Sequence, residues 1–372
     1  MNSKLSAGVQ SGLYFPQLDS VRGISFLAIF LFHTIHLPDE DFFLSGFIKY
    51  LYNNLPLSID VFFILSSFLL TYLALNEYKK LNSFSFKNYF TRRILRIWPL
   101  YYFILALAFI VFPFIARRYG FSLSLPASSY YIFFFSNFYT IDHVFFLRFL
   151  WTISVEEQFY LLWGISLRFF YKKLPLIIGL LFVISITFSL CAIIMHWSHY
   201  LNTLTYLFDF ASGGLAATAI FRSNKFISSL KKMSRTTTAF FYCYLIFHFI
   251  VFYFLDISTG GLANSFVALL SRYLFIIYTA LFIIEQVTNN QRTKIFEQNR
   301  FLIFTGKLSY GLYCYHGITI TFINLLLHHF EVNLMNWLLV IIYFTVNYFI
   351  AIISYYYLEL PFLKLKKRWR RI

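Results

Sequence analysis

Arg22 and His33 stand eleven residues apart in an otherwise mostly apolar run. On a helix at about 100° per residue that is three turns plus about 20°, so both project from one face, about 16 Å apart along the axis. An arginine at the end of such a run and an imidazole deep within it suit a ligand with an anionic head and a reactive tip. The same pair also fits a snorkelling arginine and a histidine bonded to neighbouring backbone. Arg93 and Arg96, three residues apart, share a helix face. Together they can take a phosphate in bidentate fashion, or anchor a helix end beside lipid headgroups. Glu156 and Glu157 are adjacent carboxylates pointing about 100° apart, which lets one face a polar cavity while the other pairs elsewhere. Asp60 matches His33 in depth and is expected to meet it and fix the tautomer of its ring, as carboxylates do for catalytic imidazoles.

The elements that must position these groups are membrane helices. Of 372 residues, 59% are hydrophobic, 23% aromatic and only 12% charged. A soluble domain carries about 25% charged residues, and so few charges cannot cover a water-facing shell. Ten apolar runs reach the roughly 20 residues that a span needs: 18–37, 56–76, 98–116, 147–170, 174–196, 203–221, 238–255, 262–287, 301–327 and 333–360. Residues 130–139 are apolar but too short to cross, and read as a re-entrant or interfacial segment. The first run has no cleavage site after it, so it is expected to stay as a helix. The three cysteines lie in apolar runs and imply no disulfide framework. No repeat or linker divides the chain, so residues 1–372 read as a single domain, with a core over about 14–362 and a basic tail at 363–372.

The net charge of +16 resembles that of a nucleic-acid binder. Its lysines and arginines, however, sit in short clusters between apolar runs, so no nucleic-acid partner is expected. Alternating connections, with both ends of the chain, hold 26 of the 31 basic residues. By the positive-inside rule that side is cytoplasmic. The acidic cluster Asp39, Glu40 and Asp41 falls on the other side. The fold expected is an all-α polytopic bundle of about ten transmembrane helices with both termini in the cytoplasm.

Ionisable groups within spans cost about 2.5–3.5 kcal/mol each on insertion scales, so each is a candidate for function. Besides those above, the set includes Asp19, His36, Asp209, His248, Arg272, Glu285, His316 and Glu359. Some of them serve only as interfacial groups or ties between helices.

Taken together these segments resemble the acyltransferase-3 family of bacterial membrane acyltransferases, over most of the chain. The family's Arg with ten residues before a His is matched by Arg22 and His33, and its Arg-x-x-Arg by Arg93 and Arg96, followed by Pro99 and Tyr101. Its Trp-x-x-Ser-x-Glu-Glu-Gln-Phe-Tyr pattern is matched from Trp151 to Tyr160. Leu308-Ser309-Tyr310-Gly311-Leu312-Tyr313 and Glu359-Leu360-Pro361-Phe362 are similar to its closing patterns. The second-helix pattern departs from the family, with Ser58 and Ser67 where Gly is usual on either side of Asp60 and Phe62-Phe63. Small residues remain, so close packing stays possible, although acceptor preference could differ.

The resemblance implies an enzyme of the inner membrane that moves an acyl group, most often acetyl, from cytoplasmic acetyl-CoA to a hydroxyl of a surface or lipid-linked glycan. Lipopolysaccharide O-antigen, capsule and exopolysaccharide are the acceptors it suggests. Arg22, Arg93 and Arg96 would bind the nucleotide end, with Glu359 pairing with an arginine there, and the pantetheine arm would reach His33. His33 would act as general base or as a nucleophile, oriented by Asp60, Glu156 or Glu157. No permanently bound cofactor or metal is expected. Some relatives carry a hydrolase-like domain after the membrane part. Here the chain ends in a short basic tail, so transfer is expected to finish in the membrane domain or on a separate partner. A transporter or flippase for a lipid-linked glycan would use the same buried charges. Inverted repeats are the usual sign of that class, and none stands out.

Overall fold

The computed structural model describes residues 14–35, 43–118, 125–139, 145–222, 225–289 and 294–369. His36, the acidic cluster at 39–41, and the basic residues Lys4, Arg292, Arg370 and Arg371 lie outside the described residues. All ten apolar runs fall on helices: α1 (Pro16–Thr34), α2 (Ser58–Leu81), α3 (Phe86–Ala106), α4 (Trp151–Phe169), α5 (Leu174–Ile194), α6 (Leu207–Arg222), α7 (Arg235–Ser258), α8 (Gly261–Thr288), α9 (Arg300–His329) and α10 (Asn336–Ser354). Among the described residues no strand occurs, and seven helical segments are long and apolar enough to cross a membrane. The three long helices outside that set are α1, α4 and α9. They carry Arg22 and His33, Glu156 and Glu157, and Lys307 and His316. The chain is an all-α membrane bundle.

Glycines set how closely those helices approach. Gly306 of α9 lies against the backbone carbonyl of Asp19 on α1, and Gly23 of α1 lies against that of Leu302 on α9, so neither has room for a Cβ. Small residues at such crossings let backbones meet where no hydrophobic force drives the helices together. Gly213 of α6 likewise faces the carbonyl of Ile64 on α2. Beside it Ser67, where the family has glycine, donates its hydroxyl to Phe210 O at 2.5 Å. The departure is therefore accommodated: the opposing helix supplies the small residue, and the added hydroxyl ties the two together.

α4 is clamped from three sides. Trp163 Nε1 donates to Thr71 Oγ1 of α2 at 2.9 Å, Tyr89 of α3 donates to Tyr160 O at 3.1 Å, and Phe159 stacks on Phe210 of α6 with ring centroids 3.8 Å apart. α1 is held at both ends. Near its start Ser20 donates to Phe296 O, and Tyr52, from the helix Phe43–Asn53, donates to the end carbonyls of Phe32 and Ile35. Carbonyls at a helix end need partners from outside it, and Tyr52 supplies one at the end that carries His33. Two π-helical turns, Leu107–Val111 and Tyr355–Glu359, each end two residues before a proline, Pro113 and Pro361. A proline removes an N–H and crowds the carbonyl four residues back, which widens the preceding turn.

The short apolar stretch at 130–139 folds as a brief helix, Ser128–Ile132, and one further turn, Ser136–Phe138. It docks on α3 and α4: Tyr101 donates to Tyr131 O at 2.7 Å, Gln158 Nε2 to Phe134 O at 2.8 Å, and Ser136 and Ser154 share a hydrogen bond of 2.7 Å.

Adding a methyl at Gly306 or Gly213 forces backbones apart and should cost about 1–3 kcal/mol, the usual range for overpacking. Gly179→Ala, on a helix face with nothing within 4 Å, should leave stability unchanged or raise it. Thermal melts of the purified protein in detergent compare the three; equal melting temperatures would contradict the packing described.

Candidate active site

A cavity of about 460 Å³ opens between α1, α2, α3, α4, α9 and the end of α10. Its lining brings together residues from every sequence pattern singled out above. At one end are Arg22, Arg93 and Arg96, with Lys307 from α9 and Lys366 just after the short helix Leu360–Leu365 that follows α10. Against these five basic side chains the lining sets three carboxylates, Asp19, Glu156 and Glu359. Arg22 bonds Asp19 one turn earlier at 2.9 Å, and the guanidinium of Arg93 lies 5.6 Å from the ring centre of Tyr160. The remaining excess of positive charge suits a phosphate-bearing ligand.

Farther in, Glu156 accepts from Ser66 Oγ at 2.8 Å, and Ser66 in turn accepts from Tyr160 at 3.1 Å. Glu157 points away from the cavity and takes Trp98 Nε1–H at 3.1 Å, leaving its other oxygen buried and without a partner. The 100° between adjacent residues thus divides the pair between the cavity and the α3 side. Glu359 lines the cavity in its π-turn. Gly311 makes room for its carboxylate, since a Cβ there would stand 2.9 Å from Glu359 Oε1. That oxygen is buried and bonded to nothing described. Glu359 therefore faces the arginines without forming an ion pair with Arg22.

Ile29, Ile59, Phe63 and Tyr313 also line the cavity, Ile29 two turns past Arg22 on α1. His33 lies one turn past Ile29, about 6 Å farther along α1. Its neighbours correct the expectation from depth. Among the described residues no carboxylate is hydrogen-bonded to His33. Its ring packs on Phe149 at 4.4 Å and lies nearly parallel to the ring of His316, with centroids 5.4 Å apart. His316 is fully buried, and its Nδ1 is 2.5 Å from Tyr313 O. A carbonyl can only accept, so the proton sits on Nδ1 and Nε2 keeps its lone pair. That Nε2 has no partner.

Asp60 lies elsewhere. Both of its oxygens bond Arg272 of α8, at 3.0 and 3.2 Å, and Arg272 also reaches Asp209 of α6 at 2.7 Å. Depth fixes how far a residue lies along its helix but not which way it faces. A guanidinium in an apolar interior takes the carboxylates within reach.

The family model described as an acyltransferase domain matches residues 15–356. The chain belongs to the acyltransferase-3 family. The peptidoglycan O-acetyltransferase of Listeria monocytogenes serovar 1/2a is 25% identical over 380 residues, which cover 94% of this chain and 56% of that protein. A Staphylococcus aureus (strain COL) protein with the provisional name O-acetyltransferase is 27% identical over 388 residues, covering 94% of this chain and 58% of its own length. An uncharacterised Haemophilus influenzae protein is 33% identical over 124 residues, 31% of this chain and 50% of its own. The chain thus spans little more than half the length of these relatives. No solved structure matches it.

Of the residues lining the cavity, Lys307 and Lys366 were hidden in the sequence among orientation signals. His316 was visible only as one more intramembrane histidine. Its place in Tyr313-Cys314-Tyr315-His316, three residues after the tyrosine whose carbonyl it bonds, was the local clue. The Asp60–Arg272–Asp209 cluster has two carboxylates for one guanidinium, so Asp60→Asn or Asp209→Asn should each be tolerated. The double variant leaves a lone buried cation and should cost about 3–5 kcal/mol. A double-mutant cycle of melting temperatures with no excess loss in the double variant would refute this account.

Proposed function

We propose that the chain is an integral-membrane O-acyltransferase that takes an acetyl group from acetyl-CoA and passes it to a glycan hydroxyl. One observation carries this reading: Arg22, Arg93 and Arg96 converge with Lys307 and Lys366 on the mouth of a cavity that runs along α1 toward His33. The nucleotide phosphates would dock on the guanidiniums. The pantetheine arm would pass Tyr160 and Glu156, and the thioester would come to Ile29 and Tyr313. The mouth would face the cytoplasm, as the charge bias of the connections demands, in the inner membrane of a bacterium. That the Listeria relative is named a peptidoglycan O-acetyltransferase supports a hydroxyl-bearing cell-surface glycan as acceptor.

In this mechanism His33 is the general base. It removes the acceptor's hydroxyl proton as the oxygen attacks the thioester carbonyl. The C–S bond then breaks, and the coenzyme thiolate takes the proton back from the imidazolium. His316, with its proton fixed on Nδ1, packs beside His33 and sets the environment in which the ring is charged. Radiolabelled acetyl-CoA and membranes holding the protein test the assignment. His33→Ala should lower the transfer rate by about 10²–10⁴-fold. Arg93→Ala and Arg96→Ala should instead raise KM for acetyl-CoA, each by about tenfold or more for a charged hydrogen bond lost. Normal transfer by His33→Ala would exclude it as the base. Vesicles that moved solute without consuming thioester would favour a transporter.

Lys366 adds a pH signature. Burial, then the nearby Arg96, Arg93, Arg92 and Arg22, push its ammonium well below the ordinary lysine range. A bound polyanion favours the charged form and raises it again. Donor binding should therefore take up protons at pH values between the depressed and the restored value, and affinity should fall as pH rises through that window. Calorimetric titration in two buffers of different ionisation heat measures the uptake, and Lys366→Met should abolish it.

A further inference from the structure

A second cavity, of about 650 Å³, opens beside the ion cluster and has no part in the site above. Its lining includes the Asp60–Arg272 pair, with Arg272 lying 4.9 Å from the ring centre of Tyr206 and bonding Thr205 O at 3.3 Å. Its rim is the connection between α5 and α6 together with the turn at 53–57. Trp197 and Tyr200 stand on that rim, 56% and 51% exposed. Asn53, Asn54, His196 and Ser198 add amide, imidazole and hydroxyl groups between them.

The rim is fixed before any ligand arrives. Trp197 N–H donates to Ala192 O at 2.9 Å, Thr205 Oγ1 to His199 O at 2.7 Å, and Tyr206 to Tyr200 O at 2.7 Å. His196 turns the chain in a left-handed conformation, φ 55°, which few non-glycine residues adopt. Aromatic faces on a hydrogen-bonded rim, interspersed with groups that both donate and accept hydrogen bonds, are what a polyhydroxylated ring needs. Its apolar C–H face stacks and its hydroxyls bond around the edge.

Charge separates this cavity from the first. The first sets five basic side chains against three carboxylates; here the one guanidinium is already held by two carboxylates, Asp60 and Asp209. Arg272 therefore has no charge to offer a phosphate, and a nucleotide or lipid phosphate gains nothing by docking. The two cavities nevertheless share a wall. Ile59 lines both. Thr152 lines the first, while its neighbour Trp151 packs on Tyr200 and Tyr206 of the second, with ring centroids 5.3 and 5.4 Å away. Phe149, on which His33 rests, is two residues from Trp151.

We infer that the second cavity is the acceptor site, which binds an uncharged saccharide unit by stacking on Trp197 and Tyr200 and delivers its hydroxyl through the wall at Ile59 and Trp151 to the acyl group. This rests on the acyltransferase reading above. It places donor and acceptor at opposite mouths, with transfer at the partition between them.

Ser198→Cys on the rim tests it. Whole cells expressing this variant are treated with a membrane-impermeant maleimide, then pulsed with radiolabelled acetate, and the acetyl content of their surface polysaccharide is measured. Wild-type cells, with the three native cysteines, are the control for the reagent. The expected result is labelling of Cys at position 198, loss of polysaccharide acetylation, and unchanged acetyl-CoA binding by membranes from the same cells. Trp197→Ala and Tyr200→Ala, both on the exposed rim, should raise KM for the acceptor roughly tenfold, the loss of about 1.4 kcal/mol of stacking, with KM for acetyl-CoA unmoved. Acetylation that persists in labelled cells overturns the inference, as does failure of the reagent to reach position 198. A wild-type protein that neither binds acetyl-CoA nor acetylates polysaccharide overturns the acyltransferase reading itself, before any variant is compared.

Discussion

Charge held inside a bilayer must be matched by protein or reserved for a ligand, and that constraint sorts the buried ionisable groups of this bundle into two kinds. Arg272 is matched: two carboxylates hold it and the ring of Tyr206 lies under it. Glu285 is matched as well, accepting from Tyr242, Gln286 and Asn289 between α7 and α8. The first cavity is different. Its basic side chains outnumber its carboxylates, and one oxygen of Glu359 lacks a partner. Among the described residues Glu157 Oε1 and His316 Nε2 also lack a partner, as do Asp209 Oδ1 beside Arg272 and Gln286 Oε1 beside Glu285. The excess of basic side chains over carboxylates is what marks this cavity as a place for an anion to complete.

The close crossing of α1 and α9 carries that constraint into geometry. Gly23 and Gly306 bring the two backbones together near the basic mouth. From there both helices run alongside each other, so His33 and His316 arrive side by side about two to three turns deeper. A larger residue at the crossing would separate the imidazoles and widen the gap at which Phe149 now touches both rings, at 4.4 and 4.3 Å. The packing of small residues at one end thus sets the chemical distance at the other.

Much of this was legible in the sequence, and the boundary of legibility has a physical form. Hydrophobic length located all ten long helices, because the thickness of a bilayer is a one-dimensional requirement. Helical period placed Arg22 and His33 on one face and turned Glu156 and Glu157 apart, because both are statements about a single helix. The partner of His33 was not legible. Asp60 had the right depth but faced α6 and α8, where Arg272 claimed it. Its true neighbour, His316, comes from a helix 283 residues away in the chain. Azimuth between helices depends on which residues are small at the crossings, and nothing in one helix announces the glycine of another. Ser67 shows the same point in reverse: read alone it was a lost glycine, whereas Gly213 opposite keeps the approach close.

The polarity of the site has a further consequence for how the bundle is assembled. α1, α4 and α9 carry Arg22, His33, Glu156 and His316 and are the three long helices among the described residues outside the set apolar enough to cross a membrane by length and composition. Each gains its place from neighbours: α4 is hydrogen-bonded to α2 and α3 and stacked on α6, and α1 is sealed against α9 and held at its end by Tyr52. The apolar helices α5, α7 and α10 present most of their surface outward, where lipid replaces protein as the partner. The cavity is lined both by these three helices and by Arg93, Arg96 and Glu359 from apolar segments, so its charges are shared between the two groups. A guanidinium or imidazole acts more strongly where water is scarce, and only a helix already enclosed by others can hold it there.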